Sequence, residues 1–392
     1  MRKLRFRPVG HFSRCLLTFA LFMWSCSLLA QYDSIPHKGL DRTYLLHLPG
    51  GYTGTSPLPL IIAMHGGFGN AYNMQNQSQL SIKADQENFI VVYPEGVKSD
   101  VLKISSWNAG WCCGYASSNN IDDVGFINAL IDTLVGQYAI DTNRIYATGM
   151  SNGGFMSYRL ACELSHRIAA VAPVSASMSM ADCSPQRAVP IISFHSYLDT
   201  SVPYEGGIGD GPSDHYNSPQ DSVNNAWAEK NGCTIKNDTI QNNEEYTEIH
   251  WSNCTCNAEI HYFITQDGGH SWPGGNATPI GDPASEYISA NDLMWEFFQQ
   301  YTLDCETTFA EDIEVQERNI NVFPNPASSI LHIQPSGSWK NMALTLFNAQ
   351  GQELVKTSMQ EELDLENIPA GLLFLLIEID DTLVTRKIIK AE

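Results

Sequence analysis

Residues 31–303 predict an α/β fold, a mostly parallel central sheet flanked by helices, which an acidic linker (304–318) joins to a small all-β sandwich over 319–392. In the first part, short apolar runs closed by Gly or Pro alternate with helical periodicity. From Leu303 the texture changes to an acidic stretch, and from residue 319 onward to strand-like segments with no cysteine and little helical spacing. The 392 residues, 43% hydrophobic and 17% charged, are ample for a buried core and for two domains.

Residues 44–48, 58–64 and 89–93 are apolar strand candidates. Asp122 and Asp123 then precede Ile127, Leu130, Ile131, Leu134, Val135 and Tyr138. That i, i+3, i+4, i+7 spacing puts one apolar stripe on a helix, with acids at its positive N-terminal end. Strand 144–148, helix 153–162 and strands 169–174 and 190–195 continue the alternation. Residues 202–220, rich in Gly, Pro, Ser and Asp, read as a long loop. Strand 260–265 and a helix from about 285 to 300 finish the unit. In the tail, 342–347, 372–379 and 383–389 read as strands.

The chain carries 22 basic and 43 acidic residues, a formal charge of -21. Five of the basic residues and none of the acidic ones fall in 1–30, so the remainder is more acidic still. Such a surface repels phosphate backbones and anionic lipid, which argues against nucleic acid and membrane-surface partners and favours neutral substrates. The basic start, the apolar run 15–30 and small Ala30 read as a secretory signal peptide over 1–30. The run is too short for a stable membrane span of roughly 20 residues. A lipoprotein signal ending at Cys26 is the weaker choice, with bulky Met23 and Trp24 before it.

Beyond that segment stand Cys112, Cys113, Cys162, Cys183, Cys233, Cys254, Cys256 and Cys305. An even set in an exported chain points to disulfides, and the spacings resemble no common zinc module. Connectivity is open. Adjacent Cys112 and Cys113 are expected to point different ways and serve different partners.

Gly149-Met150-Ser151-Asn152-Gly153 follows a strand and opens a helix, the context of a nucleophile elbow. A serine hydroxyl needs a base to take its proton, and in this fold order the carboxylate and histidine come later. Asp199 follows strand 190–195 and His270 follows strand 260–265, both at carboxyl ends of strands, the edge that carries Ser151. Asp210, Asp214 and Asp267 are rival carboxylates, and His195, His250 and His261 read as structural. For the oxyanion, the N–H groups of Asn152 and of Gly67, in the loop His65-Gly66-Gly67-Phe68-Gly69-Asn70, are the expected donors. Trp272, Trp107 and Trp111 flank glycines in loops, where an aromatic face could stack on a sugar or an aromatic acid. The competing reading for each is ordinary packing.

These residues, with Trp107-Asn108-Ala109-Gly110-Trp111-Cys112-Cys113-Gly114, Asp122-Asp123-Val124-Gly125-Phe126 and Gly269-His270-Ser271-Trp272-Pro273-Gly274, resemble the secreted polyhydroxybutyrate depolymerase and feruloyl esterase family of α/β-hydrolases. The likeness runs from about residue 42 to 301. It departs at His195-Ser196, where the family carries His-Gly before its aspartate. The tail, with Phe323-Pro324-Asn325-Pro326 and a closing Arg386-Lys387-Ile388-Ile389-Lys390 strand, resembles the C-terminal sorting domains of the bacterial type IX secretion system.

The resemblance implies a secreted or cell-surface serine esterase with Ser151, Asp199 and His270 as triad, needing no metal or organic cofactor. Its partners would be an ester-bearing polysaccharide or polyester and, through the tail, the type IX machinery. Feruloyl or acetyl esters of plant polysaccharide are the expected substrates and polyhydroxybutyrate the alternative. A surface binder that has lost turnover is the competing class. Acyl group, alcohol, disulfide pairing and oligomeric state are not readable from the sequence.

Overall fold

The computed structural model describes residues 32–304 and 320–391, apart from 181, 212–213, 279–280, 336–338, 349–351, 359 and 381. The signal peptide expected over 1–30, Cys305 and, but for Asp304, the linker expected over 304–318 lie outside the described residues. The chain divides into two compact units, Met1–Thr308 and Phe309–Glu392.

The strands of the first unit are β1 (Tyr32–His37), β2 (Leu40–His47), β3 (Leu58–Met64), β4 (Ile90–Pro94), the short pair β5 (Val97–Lys98) and β6 (Ser105–Ser106), β7 (Ile140–Met150), β8 (Ala170–Val174) and β9 (Ile191–Ser196). They continue with the short pair β10 (Gly207–Ile208) and β11 (Tyr216–Asn217), then β12 (Ile235–Asn242), β13 (Tyr246–Ser252) and β14 (Ile260–Thr265). The helices are α1 (Ala71–Ser78), α2 (Leu80–Glu87), α3 (Gly114–Ser118), α4 (Asp123–Gln137), α5 (Asn152–Glu163), α6 (Gln220–Lys230) and α7 (Ala290–Phe298).

Ten strands form one sheet in the order β1-β2-β4-β3-β7-β8-β9-β14-β13-β12. Strands β4 through β14 in that order run parallel, so their carboxyl ends share one edge. The outer strands on both flanks are antiparallel. Side chains alternate between faces along a strand, which splits the core in two. Leu60, Ile62, Ile90 and Val92 pack with residues of α4, α5 and α6 on one face. Ile61, Ala63, Val91 and Tyr93 pack with α1, α2 and α7 on the other. This is an α/β-hydrolase architecture, helices covering both faces of a mainly parallel sheet.

The expected α4 begins where its acids stand: Asp122 caps it, accepting from Gly125 N–H at 3.0 Å. Several elements escape the sequence reading, among them β1, α3 and the short β5–β6 pair. Helices α1 and α2 bury few apolar side chains, Ala71 and Met74 in the first and Leu80 and Ala84 in the second, which leaves no clean apolar stripe. Helix α6 is polar apart from Val223, Ala226, Trp227 and Ala228, and β12–β13 is a polar flanking hairpin. The closing helix starts at Ala290, with Ser289 as its cap, rather than near 285.

Cys162–Cys183 and Cys233–Cys254 are disulfides, and Cys256 is also disulfide-bonded. Contrary to expectation, Cys112 and Cys113 are joined to each other. The expectation assumed an extended chain, in which neighbours face opposite ways. Here the backbone turns tightly, with Cys113 N–H donating to Trp107 O and Ala109 N–H to Cys112 O, and both sulfurs lie on one side.

The second unit has two sheets. Ile320–Phe323, Ile330–Pro335 and Glu362–Asp364 make one, and Glu353–Ser358, Met342–Asn348, Gly371–Ile379 and Thr382–Lys390, in that spatial order, make the other. Alternate residues such as Leu331, Ile333, Leu344, Leu346, Leu375 and Ile377 fill a core of its own. Among the described residues no helix is long and apolar enough to cross a membrane.

Candidate active site

Strand β7 ends at Met150 and α5 begins at Asn152, which leaves one residue for the turn. Ser151 takes φ 53°, ψ −123° there, a conformation an L-residue adopts only when its surroundings enforce it. Gly149 and Gly153 make that possible: a Cβ on Gly149 would lie 2.5 Å from the Gly153 backbone, and one on Gly153 would overlap Met64 O. Ser151 N–H donates to Val174 O at 2.9 Å, which ties the elbow to the end of β8.

Asp199 lies three residues past β9 and His270 five past β14. They meet: His270 Nδ1 stands 2.9 Å from Asp199 Oδ2 and 3.1 Å from Oδ1. Asp199 is buried, and its Oδ1 also accepts from the N–H of Ser201 and of Val202. Burial alone would raise its pKa, but the His270 imidazole and these hydrogen bonds outweigh it and hold the carboxyl below its ordinary value. The rival carboxylates are engaged elsewhere. Asp267 accepts from Ser285 Oγ and Glu286 N–H, Asp210 faces Ser201 Oγ at 3.4 Å, and Asp214 is exposed. Ser196, where the resemblance departs, donates its hydroxyl to Asp267 O and accepts from Leu198 N–H, so the turn into Asp199 closes on a side chain. His195 is buried; its Nε2 is 2.8 Å from Val202 O and 3.8 Å from Asp199 Oδ2.

The histidine loop is bonded to the elbow's neighbour: Ser175 Oγ donates to Ser271 O at 3.0 Å, one residue past the Val174 carbonyl that takes Ser151 N–H. Asp282 Oδ2 accepts His270 N–H at 2.6 Å from the other side. With Nδ1 committed to Asp199, Nε2 is the ring nitrogen left for chemistry. Nothing in the sequence spacing points to Ser175 or Asp282, since both act through contacts made only in the fold.

The glycine loop after β3 has its N–H groups sorted. Phe68 N–H donates to Ser105 O and Gly69 N–H to Gly66 O, while no backbone carbonyl among the described residues takes Gly67 N–H. Asn152, the first residue of α5, likewise has no intrahelical acceptor. A Cβ on Gly67 would lie 4.0 Å from Asn152 Cβ, so the two donors are neighbours. His65 fastens this loop: Nε2 accepts from Gly96 N–H at 3.0 Å, and Nδ1 donates to Gly66 O at 2.7 Å. Burial lowers its pKa to about 4, so the ring is neutral.

Trp107 links both donors. Its indole N–H donates to His65 O at 3.0 Å, while its own N–H and C=O pair with the Asn152 carboxamide at 2.7 and 3.0 Å. Trp107 and Trp272 are fully buried, so neither offers a face for stacking. Trp272 belongs to the core and donates to Asn291 Oδ1. The physical reason is the same for both: each indole N–H finds a partner inside, so the ring need not reach water. Trp111 is 52% exposed and remains available to a ligand. Among the described residues Cys112, Cys113 and His215 group as metal-ligating types, but in the disulfide form the sulfurs offer no thiolate.

Residues 42–197 match the family model described as Esterase PHB depolymerase, and 321–391 the one described as Secretion system C-terminal sorting domain. Feruloyl esterase B of Piromyces equi is 30% identical over 271 residues, 67% of this chain and 46% of that protein. Feruloyl esterase C of Emericella nidulans is 28% identical over 264 residues, 66% of this chain and 83% of that one. A bifunctional acetylxylan esterase/xylanase of Neocallimastix patriciarum is 26% identical over 269 residues, 68% of this chain and 34% of that one. The chain thus spans less than half the length of the first and third. With the elbow, the Asp199–His270 pair and the glycine loop on one sheet edge, the first unit is similar to the esterase PHB depolymerase family over residues 42–197, and the second is similar to secretion system C-terminal sorting domains over 321–391.

Proposed function

We propose that this protein is a secreted serine carboxylic-ester hydrolase that works through an acyl-enzyme, on feruloyl or acetyl esters of plant cell-wall polysaccharide. Ser151 Oγ attacks the ester carbonyl while His270 Nε2 takes its proton. The N–H groups of Gly67 and Asn152 receive the oxyanion. Collapse expels the alcohol, which takes the proton back from His270. Water, deprotonated by the same nitrogen, then attacks the acyl-enzyme and releases the acid. Asp199 holds the imidazole in the tautomer with Nε2 free and stabilises its charged form.

The observation that carries this reading is the bidentate approach of Asp199 to His270 Nδ1, on a loop bonded beside the strained elbow. The substrate class is supported by relatives named as feruloyl and acetylxylan esterases. Polyhydroxybutyrate is the second reading, favoured by the description of the matching family model. Export through the type IX machinery accords with the sorting domain over 321–391.

The test is turnover of p-nitrophenyl acetate by Ser151→Ala and His270→Ala. Each should lose at least about a thousandfold, because triad members act as a unit. Turnover near wild type in either variant refutes the assignment. Product analysis on feruloylated arabinoxylan, acetylated xylan and a polyhydroxybutyrate film separates the two substrate readings.

A further inference from the structure

Where the loop past His270 packs on α1, the surface opens into a cleft of about 230 Å³ lined by Tyr72, Gln75, Asn76, Gln79, Ser81, Ile82 and Asn276. We infer that this cleft binds a sugar ring of the substrate's alcohol portion, an inference that rests on the esterase reading above. Its lining holds no charged side chain, in a chain of net charge -21. What it presents is a phenol ring 59% exposed, an exposed Ile82 and carboxamides, the combination that takes a ring with apolar faces and hydroxyl edges.

The polar groups are pre-set. Gln79 Nε2 donates to Asn276 Oδ1 at 2.7 Å, Asn276 Nδ2 to Asn76 O at 2.8 Å, and Gln75 Nε2 to Ser81 Oγ at 3.1 Å. A carboxamide has two N–H donors and an acceptor oxygen, so these contacts leave each amide with capacity for a ligand's hydroxyls while fixing its direction. The volume is below the roughly 300–1,000 Å³ of a pocket that encloses a whole ligand. It suits one ring of a longer molecule.

Position selects the alcohol side. Helix α1 continues directly from the glycine loop that carries Gly67, and Asn276 is six residues past His270, its N–H bonded to Gln77 O. The leaving alcohol takes its proton from His270, and the loop that carries His270 runs on to Asn276 in the cleft's lining.

The experiment compares Tyr72→Ala, Tyr72→Phe and Gln79→Ala on acetylated xylotriose and on p-nitrophenyl acetate, whose alcohol carries no sugar ring. Tyr72→Ala and Gln79→Ala should raise KM for the xylotriose ester about tenfold and leave kcat/KM for p-nitrophenyl acetate within twofold, while Tyr72→Phe, which keeps the ring, stays near wild type on both. Equal effects on the two substrates, or no effect on either, overturns the inference. Wild-type protein that hydrolyses neither ester instead refutes the esterase reading on which it rests.

Discussion

Burial lowers the pKa of His65 from 6.5 to about 4, so folding denies this imidazole a proton that the unfolded chain accepts. Between those values the unfolded state binds more protons, and stability therefore falls as pH falls. The contribution is complete above pH 6.5 and lost as pH approaches 4, to an extent of about 3 kcal/mol. Urea unfolding measured from pH 7 to 4 should show this slope, and His65→Gln should remove its share of it; parallel profiles for the two proteins contradict the account. Asn152→Ala keeps the backbone N–H but cuts the two bonds to Trp107. Misplacing that donor should lower kcat by up to about a hundredfold, with KM nearly unchanged. A KM effect alone would assign the side chain to substrate binding instead. At this scale Ser151, Asp199 and His270 are legible because each follows a strand that the hydrophobic pattern reveals. The indoles are not: a tryptophan beside a loop glycine reads the same whether its N–H meets water or His65 O.

Among the elements, β2 and α4 are held by a buried ion pair. Arg42 donates to Asp123 Oδ1 at 2.7 Å and to Glu95 O, and Asp123 Oδ2 takes Asn108 N–H at 2.7 Å, so the pair also anchors the loop that carries Trp107. Removing one partner strands the other in a site that cannot solvate it. Arg42→Met should cost about 3–5 kcal/mol of unfolding free energy, read from the urea midpoint; a change under about 1 kcal/mol would mean that water reaches Asp123. Central strands and α4 are legible because buried parallel strands are continuous apolar runs and α4 repeats its stripe over four turns. Helices α1, α2 and α6 bury too few apolar side chains to leave such a stripe. The Cys112–Cys113 bond is invisible for a different reason: spacing says nothing about a backbone that turns between two neighbours.

Over the whole molecule, the chain forms two units with separate cores. The change of texture after Leu303 makes this division legible, since the tail swaps helical spacing for strands and turns. A chain ending at Arg318 should hydrolyse p-nitrophenyl acetate within about twofold of the full chain per molecule, as expected when domains fold on their own cores, and should no longer leave the cell. Loss of soluble-ester turnover in that truncation would assign the tail a part in the esterase itself. The claim at the centre is that Ser151 is a nucleophile activated by an imidazole that Asp199 orients. Its most direct measurement is the rate and site of covalent capture by a fluorophosphonate, followed by peptide mass analysis. The account predicts a single adduct on Ser151 in wild type, formed orders of magnitude more slowly in His270→Ala. An adduct on another residue, or equal rates in the two proteins, would contradict it.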